Sequence, residues 1–192
     1  MNIIIFGPPG AGKGTQSKFI VERYKLYQLS TGDLLRFEIK NKTEKGAKIS
    51  SIMNSGELVS DEIVNELIEK FISNNTFKNK IIFDGYPRNI TQAKNLDNLL
   101  KKHKQKINII LKLTVSLETI KKRILERKTQ ERRDDDNEVV AIKRYETYEK
   151  SAKILLDYYK RSNLVKEING EAGISRINSE ISEIIDAIKG WL

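Results

Sequence analysis

Short apolar runs and longer amphipathic stretches alternate along the whole chain. The apolar runs, which predict five buried strands, lie at 2–6, 27–29, 80–83, 107–113 and 164–168. Between them, apolar residues recur three or four positions apart, which is the spacing of one helix face. The clearest of these stripes are Ile63, Val64, Leu67, Ile68 and Phe71, then Leu117, Ile120 and Ile124, and finally Ile177, Ile181, Ile184, Ile185 and Ile188. The alternation predicts a three-layer α/β fold, with helices on both faces of a five-stranded parallel sheet.

Parallel sheets of this kind bind ligands beyond the carboxyl ends of their strands. That rule selects the segments 7–15, 30–33 and 84–88, together with the residues that follow Ile168. Ser60 and Ser116 stand where helix N-caps are expected. We predict one domain over residues 1–192, with a core of 1–29, 60–126 and 138–192.

Two segments interrupt the alternation and are predicted to be mobile flaps over the core. Residues 30–59 contain two helical patterns and no strand, and residues 127–137 are short and polar. We expect both to close over a bound ligand and to exclude water from the site.

The amino-acid composition argues against several classes of protein. Hydrophobic residues are 39% of the chain, and no apolar run approaches the length of a bilayer span. No cysteine is present and His103 is the only histidine, which argues against disulfides, structural zinc and histidine-based catalysis. No signal peptide precedes the first strand, so a cytoplasmic location is expected, with no membrane partner.

The net charge is +9, which suits nucleotides or nucleic acid as partners. The densest basic run, 101–106, lacks the interleaved aromatic residues that stack on bases. We interpret it as a solvated helix end and expect no nucleic-acid partner.

The segment Gly7-Pro8-Pro9-Gly10-Ala11-Gly12-Lys13-Gly14-Thr15 lies between the first predicted strand and a helix expected from Gln16 to Arg23. Strand, glycine-rich turn and helix are the context of a phosphate-binding P-loop. Backbone N–H groups and the helix N-terminus surround the anion, and Lys13 adds a full charge. Gly14 stands where most P-loops carry Ser or Thr, and the hydroxyl follows at Thr15.

Asp84 directly follows the strand predicted at 80–83 and is expected to face the P-loop. A carboxylate there is placed to hold Mg²⁺ through water. Glycine follows it, not a glutamate that could activate water, and nothing else clearly supplies a hydrolytic base. The phosphoryl acceptor is therefore expected to be another molecule rather than water. Phosphoryl transfer to another molecule requires that water be excluded from the site, which closure of the two flaps would achieve.

Several arginines are spaced to act together. Arg123 and Arg127 share a helix face, Arg133 precedes Asp135 and Asp136, and Arg144 lies on the next helix. Arg36 lies one turn into a helix that begins at the binding edge. Together they predict a clamp for the negative charge that phosphoryl transfer spreads over oxygens.

With these motifs the chain resembles the adenylate kinases, a family of nucleoside monophosphate kinases, over essentially its whole length. The residues that carry the resemblance are Gly7–Gln16 (GPPGAGKGTQ), Leu29–Arg36 (LSTGDLLR), Gly56–Asp61 (GELVSD), Phe83–Arg88 (FDGYPR) with Gln92, Arg123–Arg127 and Arg133–Asn137 (RDDDN). The resemblance implies the reaction ATP + AMP ⇌ 2 ADP with Mg²⁺, and we expect a monomer.

The resemblance also assigns residues to each nucleotide. For ATP it implies Gly10, Ala11, Gly12, Lys13, Gly14, Thr15, Arg123, Arg127 and the backbone of Ala172. For AMP it implies Thr31, Arg36, Glu57, Leu58, Val59, Gly85, Tyr86, Pro87, Arg88, Gln92, Arg133 and Arg144. For catalysis it implies Lys13, Arg88, Arg123, Arg133 and Arg144, with Asp84 on the metal. Tyr86 stands where phenylalanine is common, and Arg132 beside Arg133 makes that register less certain.

Two positions bear on the acceptor base. Related UMP and CMP kinases tend to carry alanine in place of Thr31 and asparagine in place of Gln92. A glutamine amide both donates and accepts, as an adenine edge requires. Adenine is favoured, with a UMP/CMP-type kinase as the first alternative.

The second alternative is a P-loop regulatory switch or a nucleic-acid-associated NTPase. A switch should carry an Asn-Lys-x-Asp run that reads guanine, whereas the run at 41–44 ends in glutamate. Five residues separate Arg127 from Arg133, which is the short-lid form without zinc-binding cysteines.

Overall fold

A computed structural model of the protein describes residues 1–43, 46–131, 138–160 and 162–189, with the backbone alone at 127–131 and 189. Five parallel strands form one sheet in the order β2-β3-β1-β4-β5. The strands are β1 (Asn2–Phe6), β2 (Tyr27–Ser30), β3 (Ile81–Asp84), β4 (Ile107–Thr114) and β5 (Val165–Asn169). The predicted fold class is confirmed, and each strand lies within one residue of its predicted bounds.

The helices of the described chain are α1 (Lys13–Tyr24), α2 (Thr31–Lys40), α3 (Gly46–Asn54), α4 (Asp61–Ile72), α5 (Ile90–Lys102), α6 (Leu117–Glu131), α7 (Glu138–Lys160) and α8 (Ile174–Lys189). A single 3₁₀ turn at Asn75–Phe77 precedes β3. Among these helices, none is both long enough and apolar enough to cross a bilayer.

Side chains of β1 alternate between two cores. Ile4 and Phe6 pack with residues of α4, α5 and α7, whereas Ile3 and Ile5 pack with residues of α1 and α8. Successive side chains of a strand point to opposite faces, so one five-residue strand supports both layers. The carboxyl ends of β1 and β3 are thereby held side by side, with Ile5 opposite Asp84.

Three local expectations change. Helix α1 begins at Lys13, three residues before the predicted start, because the chain turns into the helix directly at Gly12, whose φ is 91°. Ser60 precedes α4 but its side chain makes no capping hydrogen bond. Helix α6 continues to Glu131, so the first part of the predicted 127–137 flap is helical. Ser116 is confirmed as a cap, since its Oγ accepts from the N–H of Thr119 at 3.3 Å.

Candidate functional site

A cavity of about 600 Å³ opens at the carboxyl edge of the sheet. Its wall comes from the loop after β1, from α2, from the turn after β3, and from α6 and α7. Predicted residues that line it are Gly10, Ala11, Gly12, Lys13, Gly14, Thr15, Arg36, Glu57, Leu58, Val59, Asp84, Gly85, Tyr86, Pro87, Arg88, Arg123 and Arg144. The fold therefore brings most of the predicted site residues, distant in sequence, to one cavity.

The loop after β1 wraps closely around its own lysine. Lys13 Nζ donates to the carbonyl oxygens of Gly7 at 2.8 Å and Pro8 at 2.9 Å. The first N–H of α1 to donate within the helix is that of Gln16, to Gly12 at 3.0 Å. The N–H groups of the preceding turn have no helical carbonyl ahead of them, so this edge of the cavity is suited to an anion.

Gly10 is required by space as well as by conformation. Its φ is +80°, and a Cβ there would meet Ile124 at 3.2 Å and Ile120 at 3.3 Å. The loop thus lies directly against α6, which carries Arg123. Packing of this kind sets the loop in position before any ligand is bound.

Asp84 lies at the end of β3 and is nine-tenths buried. Its Oδ2 accepts a hydrogen bond from Gln28 Nε2 at 3.0 Å, which orients the carboxylate beside the P-loop. Among the described residues, no group of three or more His, Asp or Glu side chains could by itself hold a metal. A single carboxylate fits Mg²⁺, which keeps several waters and takes its other ligands from phosphates.

The turn after β3 is held by hydrogen bonds to one carbonyl. The oxygen of Gly85 accepts from Thr31 Oγ1 at 2.9 Å and from Arg88 Nε at 2.8 Å. Gly85 has a φ of +78°, and a Cβ there would come within 2.9 Å of Thr31 Oγ1. This glycine therefore lets α2 and the Arg88 turn meet. The Tyr86–Pro87 peptide bond that follows is cis.

Three arginines, Arg36, Arg88 and Arg144, concentrate positive charge in the wall of the same cavity. Arg88 remains open to the cleft, yet the surrounding protein lowers its pKa by desolvation, and the charges of Arg144 and Arg36 lower it further. Desolvation is the main cause of this shift and the Asp84 carboxylate opposes it, whereas crowding by the two other guanidinium groups adds to it. The arginine itself stays protonated at any physiological pH. A bound anion would relieve that crowding.

The other contacts of these arginines tie the flap to the core. Arg36 forms an ion pair with Asp33 one turn earlier in α2. Arg144 on α7 donates to the carbonyl oxygen of Met53 at 3.0 Å, and Lys143 pairs with Glu57 at 3.2 Å. Segment 53–57 is thus attached to α7 in this conformation.

Gln92 lies outside the large cavity. With Thr31, Val59 and Arg88 it lines a side cavity of about 20 Å³, which is room for about one water molecule. Its Oε1 accepts from the N–H of Arg88 at 2.7 Å, and its Nε2 donates to Asp61 Oδ1 at 2.7 Å. A base could reach this amide only if the walls of the side cavity separate.

Tyr86 is almost wholly buried. Its hydroxyl donates to Asn65 Oδ1 at 2.7 Å and lies 3.2 Å from the carbonyl oxygen of Gln92. Burial raises the pKa of Tyr86 to about 12. The hydroxyl that distinguishes it from the usual phenylalanine is therefore accommodated by neighbours on α4 and α5.

The turn after β5 is bonded to α6 next to the cavity, although residues 170–173 are not among those that line it. Arg123 donates to the carbonyl oxygen of Gly170 at 2.9 Å. The Glu171 carboxylate accepts from Thr119 Oγ1 at 2.6 Å and from the N–H of Ser116 at 2.5 Å. These bonds lower the pKa of Glu171. The bond from Thr119 has the largest effect, and those from Ser116 follow. Ala172 follows, half-buried against the α1–α8 core.

Two predicted arginines have no described side chain. Arg127 is described only as backbone in α6, and Arg133, with its neighbour Arg132, lies outside the described residues. Their predicted roles on ATP and on the transferring group stay predictions.

Sequence reasoning missed Gln28, Asp61 and Glu171. Each acts on a residue more than 25 positions away, as the bonds Gln28–Asp84, Asp61–Gln92 and Glu171–Ser116 show. For Asp61 a signal was available, because it ends the GELVSD segment beside the predicted AMP residues.

Comparison with known proteins identifies the family. The family model described as adenylate kinase matches residues 5–164. An adenylate kinase of Pelagibacter ubique is 42% identical, and the match covers 96% of this chain and 99% of that protein. Adenylate kinases of Fusobacterium nucleatum and Archaeoglobus fulgidus are 39% and 34% identical, over 96% and 98% of this chain and 98% and 100% of theirs. With the P-loop, Asp84 and the arginines gathered at one cavity, the chain belongs to the adenylate kinase family.

Proposed function

We propose that this protein transfers the terminal phosphoryl group of ATP to AMP, reversibly, giving two ADP. One observation carries the proposal: a single cavity is lined both by the glycine-rich loop with Lys13 and by the guanidinium groups of Arg36, Arg88 and Arg144. We call the first the donor half (residues 7–15 with 170–173) and the second the acceptor half (residues 30–36, 53–59 and 84–92 with Arg144). Two anion sites in one cavity are what a reaction between two nucleotides requires.

The chemistry asked of the residues is positioning and charge neutralisation. The second pKa of a phosphate monoester is about 6, so the AMP phosphate is mostly dianionic at pH 7 and attacks without a general base. An oxygen of the AMP phosphate forms a bond to the γ-phosphorus of ATP. The bond between that phosphorus and the β–γ bridging oxygen breaks, and ADP leaves with the bridging oxygen. Lys13 and the arginines stabilise the charge on the transferring group.

Mg²⁺ bound with ATP supplies neutralisation of phosphate charge, and Asp84 is the residue that would hold it through water. The orientation of Asp84 by Gln28 supports that assignment. Closure that excludes water from the site would limit the hydrolytic side reaction.

We propose that residues 30–59 and 127–137 close over the bound nucleotides. The small size of the side cavity at Gln92 supports movement of its walls, because a purine needs far more space than one water molecule. A movement of residues 30–59 would break the contacts Arg144–Met53 and Lys143–Glu57.

The test is to incubate the protein with ATP, AMP and Mg²⁺ and measure ADP by chromatography. We expect two ADP for each AMP consumed, and release of inorganic phosphate from ATP alone at less than about one hundredth of that rate. Hydrolysis as fast as transfer would refute closure over the site. The same assay with UMP and CMP separates this activity from that of a pyrimidine monophosphate kinase.

A further inference from the structure

The carboxylate of Asp61 is the meeting point of two amide side chains. Asp61 is the first residue of α4, directly after the flap segment that lines the cavity. Asn89 Nδ2 lies 3.1 and 3.2 Å from its two oxygens, and Gln92 Nε2 donates to Oδ1 at 2.7 Å. One side chain at the start of α4 therefore holds the start of α5.

These bonds leave the Gln92 amide a single orientation. Its Oε1 accepts from the N–H of Arg88 at 2.7 Å, and its Nε2 faces the carboxylate of Asp61. A backbone N–H can only donate and a carboxylate can only accept, so a rotated amide would lose both bonds. Asn89 adds support, because its Oδ1 accepts from the N–H of Gln92 at 2.8 Å.

We propose that Asp61 is a positioning residue that determines which base the acceptor half takes. The inference rests on the proposed function, since it assigns the side cavity at Gln92 to the base of the monophosphate. The Gln92 amide uses one N–H of Nε2 and one lone pair of Oε1 in its bonds to the protein. One N–H and one lone pair remain for a base, and their relative positions are fixed by the orientation of the amide. Adenine offers a donor at N6 beside an acceptor at N1, which those positions can match. Hypoxanthine, a purine of the same size, offers an acceptor at O6 beside a donor at N1, which they cannot match.

The competing explanation is that Asp61 only stabilises the N-terminus of α4. Acidic residues in a first helical turn do so without touching any ligand. Glu62, the next residue of the same turn, is exposed and carries the same charge. It is the matched control for that explanation.

The experiment compares Asp61→Asn with Glu62→Gln by steady-state kinetics, using AMP and inosine monophosphate as acceptors and ATP as donor. We expect Asp61→Asn to raise KM for AMP about tenfold and to lower the AMP-to-IMP ratio of kcat/KM about fivefold or more. KM for ATP and kcat should stay within about twofold of wild type. In Glu62→Gln all of these values should remain those of wild type.

A thermal melt accompanies each variant. If Asp61→Asn does not fold, Asp61→Glu replaces it, because it keeps the charge and displaces the carboxylate by one methylene; the same pattern is expected at smaller size. An unchanged KM for AMP and an unchanged AMP-to-IMP ratio would overturn the inference. So would a parallel loss for AMP and ATP together with a lower melting temperature, which is the result of a purely structural role.

Calorimetric binding of AMP and of inosine monophosphate, without ATP, separates this inference from the proposed function. A wild-type protein that binds AMP but forms no ADP contradicts the proposed transfer, and the binding ratio of Asp61→Asn still decides the role of Asp61. A wild-type protein that binds neither monophosphate refutes both.

Discussion

The donor and acceptor halves of the cleft are built in different ways. Most of the donor half is one continuous segment, in which Lys13 bonds the carbonyls of Gly7 and Pro8 only five or six residues away. The acceptor half is assembled from remote parts of the chain. Thr31 reaches Gly85, Gln92 reaches Asp61 and Arg144 reaches Met53, over 54, 31 and 91 residues.

This difference predicts different consequences of mutation. A change at Lys13 removes a positive charge that stabilises the transferring group, and the two hydrogen bonds that it breaks lie within the donor loop. A change in the acceptor half also disturbs the tertiary contacts that shape the site, so we expect its effect mainly on the binding of AMP. The following variants test that division.

The largest effect is expected from Lys13→Met. Removal of the cation that stabilises the transferring group should lower kcat by about 10³-fold. The two bonds to Gly7 and Pro8 are also lost, so the melting temperature should fall by no more than about 6 °C. Lys153→Met, an exposed lysine of α7, serves as control. Near-normal turnover of Lys13→Met would contradict the role of Lys13 in stabilising the transferring group.

Next in size is Arg88→Met. We expect kcat/KM for AMP to fall about 10²-fold, because a guanidinium at the phosphate of AMP is lost. Without nucleotide the melting temperature should fall by less than about 2 °C. Removal of a desolvated charge, and of its repulsion by Arg144 and Arg36, offsets the lost bond to Gly85 and the lost attraction to Asp84. Arg88→Lys should recover only part of the activity because it lacks the planar fork. A large loss of stability with little loss of activity would contradict this assignment.

A smaller effect is expected from Thr31→Ala, which removes the hydroxyl that bonds Gly85 at 2.9 Å. KM for AMP should rise about fivefold, and KM for ATP should stay within about twofold, because only the acceptor half is altered. Thr43→Ala is the matched control, since Thr43 Oγ1 also bonds a carbonyl of the same flap, that of Glu38 at 3.3 Å. Equal changes in both KM values would show that the two halves are not independent.

The smallest effect is expected from Glu171→Gln, in the segment 170–173 of the donor half. The pKa of Glu171 is lowered in the folded protein, so its carboxylate stabilises the fold above the ordinary glutamate pKa of 4.5. That stabilisation is lost as pH falls from 4.5 through the lowered pKa of the folded state. Because the group is solvent-exposed, we expect about 0.5 kcal/mol at pH 7, or about 1–2 °C in melting temperature.

Melting curves of wild type, Glu171→Gln and the exposed control Glu183→Gln, taken from pH 7 to pH 3, measure this contribution. The gap between wild type and Glu171→Gln should close at the acid end. A difference in melting temperature that widens on acidification would contradict the prediction that the ionised Glu171 carboxylate stabilises the fold.

Prediction from the sequence succeeded where partners are close along the chain. The strand β1 and the cap at Ser116 were predicted from neighbouring residues, and the cap accepts from the N–H group three residues on. The two helical patterns predicted within residues 30–59 are present as α2 and α3. Local periodicity and turn chemistry act over a few residues, so a sequence displays them directly.

Prediction was incomplete where a side chain has a remote partner. Arg123 was expected on phosphate and here donates to Gly170, and Gln92 was expected to meet a base and here is held at both ends by protein. Ser60 was expected to cap α4 and does not. In each case the outcome depends on which distant groups the packed layers bring within about 3 Å, the distance of a hydrogen bond.

The sequence by itself determined the α/β fold, the glycine-rich loop after β1 and the family, because alternating hydrophobic periods and a contiguous motif are visible without knowledge of distant contacts. Only the tertiary structure decided that Arg36, Arg88 and Arg144 crowd together, that Gly85 is the carbonyl shared by Thr31 and Arg88, and that Asp61 orients Gln92. Charge crowding and hydrogen bonds depend on distances in space, and these arise only when the sheet and its two helical layers pack together.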